Sequence, residues 1–562
     1  MLCAKRNKLP GFPFRISLLP ALSVVMVILV LCPLGMVFTR ALVYQGRPDI
    51  SHALGILGRE ENLRTITNTL ILGLSVVFGS TLMALPPAFL IARTPIGRHK
   101  WLDIVFLVPF MTPPYIASMG WILFMQKRGL FQQLFPFTGT FSENFFSFGG
   151  MVLVMSFHVF PFLYTILKNA ILNMGTGPEE SAAIFGGGWL YRLRRVTLPL
   201  LSGNYAIGAL LVFVKTLSEY GTPATLGRRI GFSVFTTDIH RYATVSPIDF
   251  GKSASLSGVL IGLCLLAWVL QNQITTRRSY RLIGGKGLCG GVKPLDGFRR
   301  IAAWGFVVLI LFMSIGIPCF SVLCTSLIKL RGYGIRPGNF TLGHYAALFA
   351  GSRARTAFMT SIILALSSAS IAALLGTALA AAIHYSPRKG RKVVEALSLA
   401  PEMLPGIVFV IGIMLFWNTL YRYIPLYNTI GIMILGYVTL FLPYTIQYVN
   451  SSFSQIGENL IQAGRTLGGS PAYVFRRVTL PLLFRGVAAG WVMTFIISFR
   501  ELVSASLIAP PNTLVVSTFI IREFEQGSVS VGMAMAVICV VFTTAALITF
   551  NGIISGRLKQ PL

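Results

Sequence analysis

The sequence predicts an all-α polytopic membrane protein with about twelve transmembrane helices in two parallel six-helix repeats. Three observations support this fold class: the composition is apolar, long uncharged segments recur, and one sixteen-residue pattern occurs twice. Of the 562 residues, 54% are hydrophobic and 11% are charged, with a mean hydropathy of +0.73. About 25% of residues are charged in a typical soluble domain. The composition therefore excludes a soluble globular protein, and the long apolar blocks exclude a disordered chain.

The basic composition is explained by where the charges lie. The formal net charge is +30, which in a soluble chain would favour nucleic acid as a partner. Most lysines and arginines, however, lie in short segments that flank apolar blocks, so the anionic surface they meet is the lipid bilayer. Their excess in alternate connecting segments predicts that both termini face the cytoplasm.

Twelve segments are long and apolar enough to cross the hydrocarbon core, which requires about 20 residues of helix. The predicted spans are residues 17–39, 66–92, 102–125, 148–172, 203–226, 250–270, 301–327, 358–383, 397–420, 427–449, 484–508 and 529–555. Six spans fall in each half of the chain. We therefore predict a first half at 1–270, a glycine-rich and basic cytoplasmic linker at 271–300, and a second half at 301–562.

The two halves contain an internal repeat. Residues 186–201 are GGGWLYRLRRVTLPLL and residues 468–483 are GGSPAYVFRRVTLPLL, so eleven of sixteen positions match at an offset of 282. Unrelated segments of average composition would match at about one position. Further matches at the same offset are Pro161 with Pro443 and Glu219 with Glu501, while the pair Pro109 and Pro113 matches Pro401 and Pro405 at an offset of 292. Because six spans separate the two copies, both have the same orientation and the repeat is parallel.

The repeated segments lie between the fourth and fifth span of each half. We call residues 178–201 and 460–483 the two repeat loops. Their central glycines predict a helix, a tight turn with a positive φ, and a second helix. Pro199 and Pro481 are expected to break the chain where the next span begins. A single basic amphipathic helix could equally lie in the lipid headgroup layer without a partner, but two copies at equivalent places favour a protein partner.

The first repeat loop resembles the cytoplasmic signature of permease subunits of binding-protein-dependent ABC importers. In that family a Glu-Ala-Ala triplet precedes a glycine, and an aliphatic-x-Leu-Pro sequence follows ten residues later. The corresponding residues here are Glu180-Ser181-Ala182, Gly186 and Val196-Thr197-Leu198-Pro199. The spacing is intact, although Ser181 takes the place of the first alanine.

The second repeat loop resembles the same signature with one further departure. It contains Gln462-Ala463-Gly464, Gly468 and Val478-Thr479-Leu480-Pro481. The acid is replaced by Gln462, and Gly464 takes the place of an alanine. The spacing is again that of the family.

The resemblance implies a type I ABC importer permease fold in a bacterial inner membrane. In the family each loop forms a coupling helix that docks on a separate cytoplasmic ATPase, of which two copies bind. By resemblance, Gly186 and Gly468 set the bend of the helix, and Glu180 makes a polar contact with the ATPase. Gln462 can form a hydrogen bond there but not an ion pair, so we expect coupling to differ between the halves. The other implied partner is an extracytoplasmic substrate-binding protein.

The chain does not encode the ATPase itself. No segment matches GxxxxGK[ST], whose backbone amides and lysine hold the phosphates of a nucleotide. No nucleophile elbow or HExxH sequence occurs, and no two of the six histidines have the spacing of metal ligands. We therefore predict a transport subunit without catalytic residues, metal or cofactor of its own, with ATP and Mg²⁺ bound by the partner.

Charged residues inside the predicted spans are candidates for the translocation path, because burying charge in lipid is costly. These candidates are Glu219, Arg500 and Glu501. Lys215 lies four residues before Glu219, where it could neutralise the acid. The alternative interpretation places both acids at a wet helix end, satisfied by neighbouring groups.

Three segments resemble one group within this family more specifically, and this resemblance suggests a substrate. The sequences LSEYGTPATLG at 217–227, FTTDIHRY at 235–242 and SFRELVSASLI at 498–508 are similar to those of ferric iron importer permeases. Phosphonate, thiamine, polyamine and sugar phosphate remain alternatives, because similar permeases serve them. An ion-coupled secondary transporter with six plus six spans is the alternative of a different class.

Overall fold

The computed structural model describes residues 18–44, 46–137, 139–174, 176–277, 295–385 and 390–556. Within these ranges ten helices are long and apolar enough to cross a membrane. Two further helix pairs meet the criterion only together, which gives twelve spans if each pair counts as one. The predicted all-α polytopic fold class is therefore confirmed. Most of the predicted linker at 271–300 lies outside the described residues.

The helices alternate between long spans and short connecting elements. The long helices are Leu19–Leu42, Glu60–Arg93, Phe148–Met174, Trp189–Ser218, Phe250–Thr275, Gly297–Leu327, Ser352–Tyr385, Ile430–Gln455, Pro471–Phe499 and Val529–Phe550, and the helix pairs are Trp101–Met111 with Pro114–Leu134 and Arg391–Met403 with Gly406–Thr419. The short helices include Ile50–Leu57, Gly139–Asn144, Gly177–Ile184, Phe235–Thr244, Gly343–Ala350, Glu458–Thr466, Val503–Ile508 and Val516–Glu525. Val43–Tyr44 and Arg47–Pro48 form a small antiparallel hairpin.

Two of the predicted spans, 102–125 and 397–420, are not single straight helices. The first pair bends by 87° and the second by 111°. Each bend occurs at a residue that precedes a proline: Thr112 and Leu404 both have extended backbone conformations. The ring of the following proline, Pro113 or Pro405, disfavours the helical conformation at the preceding residue. The matched prolines of the repeat therefore mark matched breaks.

The described chain forms two compact units. The first-half unit contains Ile50–Tyr345 and Val529–Ala534, and the second-half unit contains Met1–Asp49, Ala346–Ser528 and Met535–Leu562. The helix Leu19–Leu42 thus belongs to the second-half unit, while Gly297–Leu327 belongs to the first-half unit. The predicted boundaries at 270 and 301 follow the sequence repeat, whereas the two units are defined by packing. The two divisions differ in the first helix of each half, which packs in the unit formed mainly by the other half.

Each unit has a core of three long helices that approach closely at glycines. In the first-half unit, a Cβ atom on Gly73 would lie 2.6 Å from the Phe213 ring, and one on Gly208 would lie 2.6 Å from Leu163. In the second-half unit, a Cβ atom on Gly490 would lie 2.8 Å from the Cα atom of Thr445. Small residues at such crossings allow close backbone packing, which contributes to helix association in lipid.

Pro199 and Pro481 do not break the chain as expected. Trp189–Ser218 and Pro471–Phe499 each continue through their proline as one helix. A turn of π-helix, Leu193–Thr197 or Phe475–Thr479, ends two residues before the proline. The wider turn accommodates a residue that lacks an N–H donor and whose ring would clash with the preceding turn of an α-helix. The same arrangement precedes Pro33 and Pro318, after the π-turns Val27–Leu31 and Phe312–Gly316.

Candidate functional site: the two repeat loops

The first repeat loop is a helix, a glycine turn and a second helix. The helix Gly177–Ile184 ends before Gly186, whose φ is +78°. The Gly187 N–H donates to the Ala182 carbonyl over 2.9 Å, and the Gly186 N–H donates to the Ala183 carbonyl over 3.0 Å. These bonds satisfy the last carbonyls of the helix in the manner of a Schellman motif, which requires a left-handed residue. The predicted positive φ is therefore present.

The second repeat loop has the same backbone. The helix Glu458–Thr466 ends before Gly468, whose φ is +83°. The Gly469 N–H donates to the Gly464 carbonyl over 3.1 Å, and the Gly468 N–H donates to the Arg465 carbonyl over 2.9 Å. The two copies of the repeat therefore form the same backbone hydrogen bonds at their glycine turns.

Both turns carry large exposed apolar side chains. Ile184 is 83% exposed and Phe185 is 90% exposed in the first loop, and Leu467 is 88% exposed in the second. Trp189 and Tyr473, at the start of the following helices, are also exposed. Apolar side chains grouped on a surface in this way indicate a contact with another protein or with lipid.

The later residues of the signature lie away from the turns. Leu198 and Pro199 are exposed within the helix Trp189–Ser218, about 14 Å along its axis from Trp189. Leu480 and Pro481 are exposed at the equivalent place of the second loop. They belong to the beginning of the long helix, so the structure does not bring them together with the turn glycines.

The first loop is attached to its unit by a buried polar cluster, which we call the Arg93 cluster. Glu179 accepts a hydrogen bond from the Thr197 hydroxyl over 3.0 Å, and one of its oxygens lies 3.8 Å from a guanidinium nitrogen of Arg93. Glu179 is buried, whereas the neighbouring Glu180 is exposed. The acid selected from the signature is therefore accessible to a partner, and the preceding acid holds the loop in place.

The second loop replaces this cluster by apolar contacts. The residue equivalent to Glu179 is Ile461, which is buried. Arg93 corresponds to Tyr385, and Thr197 corresponds to Thr479. The Tyr385 ring makes an edge contact with Phe475, at a centroid distance of 6.5 Å. The two loops share a backbone but differ in what holds them.

Glu179 and Arg93 were not among the residues predicted from the sequence. The signal was available, because the repeat aligns Arg93 with Tyr385 and Glu179 with Ile461. In the other copy, uncharged residues replace both the basic residue and the acid. Two charged residues that are lost together in this way are candidates for an ion pair. Their contact nevertheless depends on the packing of helix Glu60–Arg93 against the loop, which the alignment does not reveal.

Glu219 and Glu501 occupy equivalent positions and make equivalent hydrogen bonds. A Glu219 carboxylate oxygen accepts from the Thr222 N–H over 2.7 Å, and a Glu501 oxygen accepts from the Ser504 N–H over 3.1 Å. Each acid follows the end of a long helix and caps the short helical segment that comes next, because its oxygen satisfies an N–H without an intrahelical partner. This geometry supports the interpretation that neighbouring groups satisfy both acids.

Lys215, which the sequence placed where it could neutralise Glu219, forms no ion pair with it among the described residues. The Lys215 ammonium instead lies 5.9 Å from the centroid of the Phe162 ring. Arg500 ends the helix that precedes Glu501 and is partly buried. The structure therefore assigns local hydrogen bonds to Glu219 and Glu501. A part in translocation for Glu219, Arg500 and Glu501 stays a prediction.

A polar cluster fixes the short helix Phe235–Thr244, which lies between the predicted fifth and sixth spans. Asp238 accepts a hydrogen bond from the Thr65 hydroxyl and forms an ion pair of 3.2 Å with Arg241. Burial raises the pKa of Asp238, and the hydrogen bond from Thr65 opposes that shift. Burial, followed by repulsion from Arg228, lowers the pKa of His240 to about 4. Neither residue belongs to a group of potential metal ligands among the described residues.

Comparison with known proteins agrees with this architecture. Residues 372–560 match the family model described as binding-protein-dependent transport system inner membrane component. The chain is 25% identical to the ferric transport system permease protein FbpB of Actinobacillus pleuropneumoniae, over 98% of this chain and 80% of that protein. It is 23% identical to the Fe(3+)-transport system permease protein FbpB 2 of Haemophilus influenzae, over 94% and 96% of the two chains.

A shorter relative matches less than half of the chain. The putative 2-aminoethylphosphonate transport system permease protein PhnV of Salmonella typhi is 25% identical over 43% of this chain and 91% of its own length. Its length therefore corresponds to one half of the repeat, whereas the two ferric transport permeases extend over both halves.

Proposed function

We propose that the chain is the permease of an ATP-driven importer of ferric iron, because residues 372–560 match the family model of binding-protein-dependent transport system inner membrane components. The family domain lies in the second half, and the repeat supplies an equivalent first half. The observation that carries the coupling part of the proposal is the pair of repeat loops, each with a left-handed glycine and an exposed apolar turn.

Two copies of a cytoplasmic ABC ATPase are the proposed partners of the repeat loops. Ile184 and Phe185 in one loop and Leu467 in the other would enter apolar grooves, while the exposed Glu180 and Gln462 would make polar contacts. ATP and Mg²⁺ bind to the ATPase subunits. Closure of the ATPase dimer on ATP would move the two loops, and the differential affinity of nucleotide for the closed dimer would shift the permease between its conformations.

The proposed transport mechanism is alternating access. A loaded extracytoplasmic binding protein delivers the substrate on the side opposite the repeat loops, and movement of the loops opens a path to the cytoplasm. The permease offers a transient path, and the binding protein selects the ligand. Both termini are cytoplasmic in this proposal, because basic residues are concentrated on the side of the repeat loops.

Ferric iron is preferred as substrate because the relatives that match both halves of the chain are named as ferric transport permeases. The phosphonate permease is the observation that favours a second candidate, 2-aminoethylphosphonate. Reconstitution of the permease with its ATPase and binding protein in vesicles tests the choice. ATP-dependent uptake of ferric iron is expected. Uptake of the phosphonate but not of iron would show that 2-aminoethylphosphonate, and not ferric iron, is the substrate. Uptake driven by a proton gradient without the ATPase would overturn the ABC mechanism.

A matched pair of substitutions tests the coupling role of the loops. A Cβ atom added at Gly186 or at Gly188 would meet no heavy atom within 4 Å, but φ is +78° at Gly186 and −63° at Gly188. Gly186→Ala strains the turn by about 1–2 kcal/mol, whereas Gly188→Ala does not. We expect Gly186→Ala to reduce stimulated ATP hydrolysis and Gly186→Pro to abolish it, with the permease still inserted. Equal stimulation by Gly186→Pro and wild type would contradict the coupling role.

A further inference from the structure

A cavity of about 220 Å³ lies in the first-half unit, beyond the ends of two packed helices. It is an open cavity that is lined mainly by the segment that follows Pro114–Met125 and by the segment that follows Ile317–Leu327. The single long helix Phe148–Met174 leads from the first of these segments to the first repeat loop. The cavity therefore lies at the end of the unit opposite that loop. The first segment belongs to the loop at 126–147, which is longer than its repeat counterpart at 421–426.

Three basic residues line the cavity: Lys127, Arg128 and Arg331. The residues that line it include no aspartate or glutamate. Across the described ranges, none of these three basic side chains forms an ion pair with a carboxylate. The cavity therefore concentrates positive charge without an acidic partner from the described protein.

Arg229 is a fourth basic residue that adds to the positive potential at the cavity. Partial burial and the nearby Arg229 lower the pKa of Arg331, and burial also lowers the pKa of Arg229. The Arg229 guanidinium lies over the Phe146 ring at 4.7 Å. Like charges held close together in a partly desolvated place favour the binding of an anion, which relieves their repulsion.

The walls of the cavity are fixed by one hydrogen bond that joins its two segments and by two that lie within the first segment. The Gln133 side chain accepts from the Ile335 N–H over 3.0 Å and donates to the Arg128 carbonyl over 2.9 Å. The Arg128 N–H donates to the Gln132 side chain over 2.7 Å, and Arg128 has a positive φ of 56°. Such a conformation is uncommon outside glycine and is retained where the surrounding contacts determine it.

The second segment is held internally as well. The Asn339 amide donates to the carbonyls of Leu330 and Gly334 over 2.8 and 2.7 Å, and its oxygen accepts from the Leu330 N–H over 2.9 Å. These bonds close the turn that carries Arg331. A site that is fixed before its ligand arrives loses less entropy when the ligand binds.

We propose that this cavity is an anion site that binds a phosphate group, either as free phosphate or as the headgroup of an anionic lipid. Arg331 and Arg128 supply planar guanidinium groups whose paired donors match phosphate oxygens, and Lys127 adds a point charge. The cavity lies at the ends of membrane helices, where a lipid headgroup and a soluble anion can both reach it. The proposal does not depend on the identity of the transported substrate.

The test uses the purified full chain and two probes. Inorganic phosphate is titrated by calorimetry into detergent-solubilised protein at constant ionic strength, with chloride as the reference anion. Nanodiscs that contain phosphatidylglycerol or only phosphatidylcholine provide the lipid probe, and native mass spectrometry counts the lipids that the protein retains. Binding of phosphate identifies a soluble ligand, selective retention of phosphatidylglycerol identifies a lipid, and both outcomes support the site.

Arg331→Gln is expected to weaken binding of the recognised probe about tenfold, equivalent to ~1.4 kcal/mol. Lys329→Gln is the matched control, because Lys329 is exposed two residues away and does not line the cavity. Arg331→Lys keeps the charge and loses the paired donors, so an intermediate affinity is expected even if Arg331→Gln fails to fold. Absence of binding to both probes, or equal binding by the wild type and both Arg331 variants, would overturn the proposal.

Discussion

Gly412 lies directly against the backbone of Pro33, where a Cβ atom on the glycine would come within 2.5 Å of the proline carbonyl oxygen. The equivalent pair in the first-half unit is Gly120 with Pro318, where the corresponding distance is 2.7 Å. In both units the second helix of a bent pair therefore packs on a helix from the other half of the sequence. A π-turn precedes each of the two prolines, Val27–Leu31 before Pro33 and Phe312–Gly316 before Pro318.

Substitution of Gly412 by alanine should destabilise the second-half unit. Backbone atoms of Pro33 cannot move away as a flexible side chain would, so overpacking should cost about 1–3 kcal/mol. We expect a lower thermal midpoint in detergent, measured by size-exclusion chromatography after heating. Gly262→Ala is the control, because a Cβ atom there meets no heavy atom within 4 Å. An unchanged midpoint for Gly412→Ala would show that the close contact is absent.

Removal of the Glu179 carboxylate should loosen the first repeat loop. Glu179→Ala removes the hydrogen bond from Thr197 and the ion pair with Arg93, at a cost of about 1–2 kcal/mol. Hydrogen exchange in residues 177–184 of the isolated permease should then accelerate roughly 5- to 30-fold.

Glu180→Ala provides the control for this prediction. Glu180 is exposed, so exchange in the isolated permease should match the wild type, while stimulation of the partner ATPase should fall. If Glu180→Ala accelerated exchange as much as Glu179→Ala, the distinction between the two acids would be wrong.

Glu219 should tolerate glutamine better than alanine. Its carboxylate accepts the Thr222 N–H, and a glutamine amide oxygen can accept the same bond. Glu219→Ala should therefore destabilise the protein by about 1 kcal/mol, whereas Glu219→Gln should keep the thermal midpoint. Loss of transport in the stable glutamine variant would support a role in the path, and equal destabilisation by both substitutions would rule out the capping role.

Acid should destabilise the first-half unit through His240. Its folded-state pKa is about 4, against an ordinary value of 6.5, so the unfolded chain binds more protons between these values. Stability should therefore fall as the pH is lowered from 6.5 to 4, and thermal midpoints measured across this range should show the decline. His240→Gln should reduce the slope. A slope identical to that of the wild type would mean that other groups determine it.

Local features of the fold were predictable because they depend on few residues. The left-handed turns at Gly186 and Gly468 follow from glycine between two amphipathic segments, and both are present. The matched prolines Pro113 and Pro405 were recognised as a repeat, but their effect, a sharp bend within a span, was not predicted. Pro199 and Pro481 were expected to break the helix, and the π-turns before them accommodate the rings instead.

The sequence by itself determined the membrane class, the number of candidate spans and the duplicated loops, because apolar length, glycine and an internal repeat are properties of contiguous residues. Only the tertiary structure decided that the first helix of each half packs in the other unit, that Glu179 rather than Glu180 meets Arg93, and that Lys127 and Arg331 share one cavity. These residues are far apart in the chain. Their proximity depends on how whole helices pack, which no local pattern specifies.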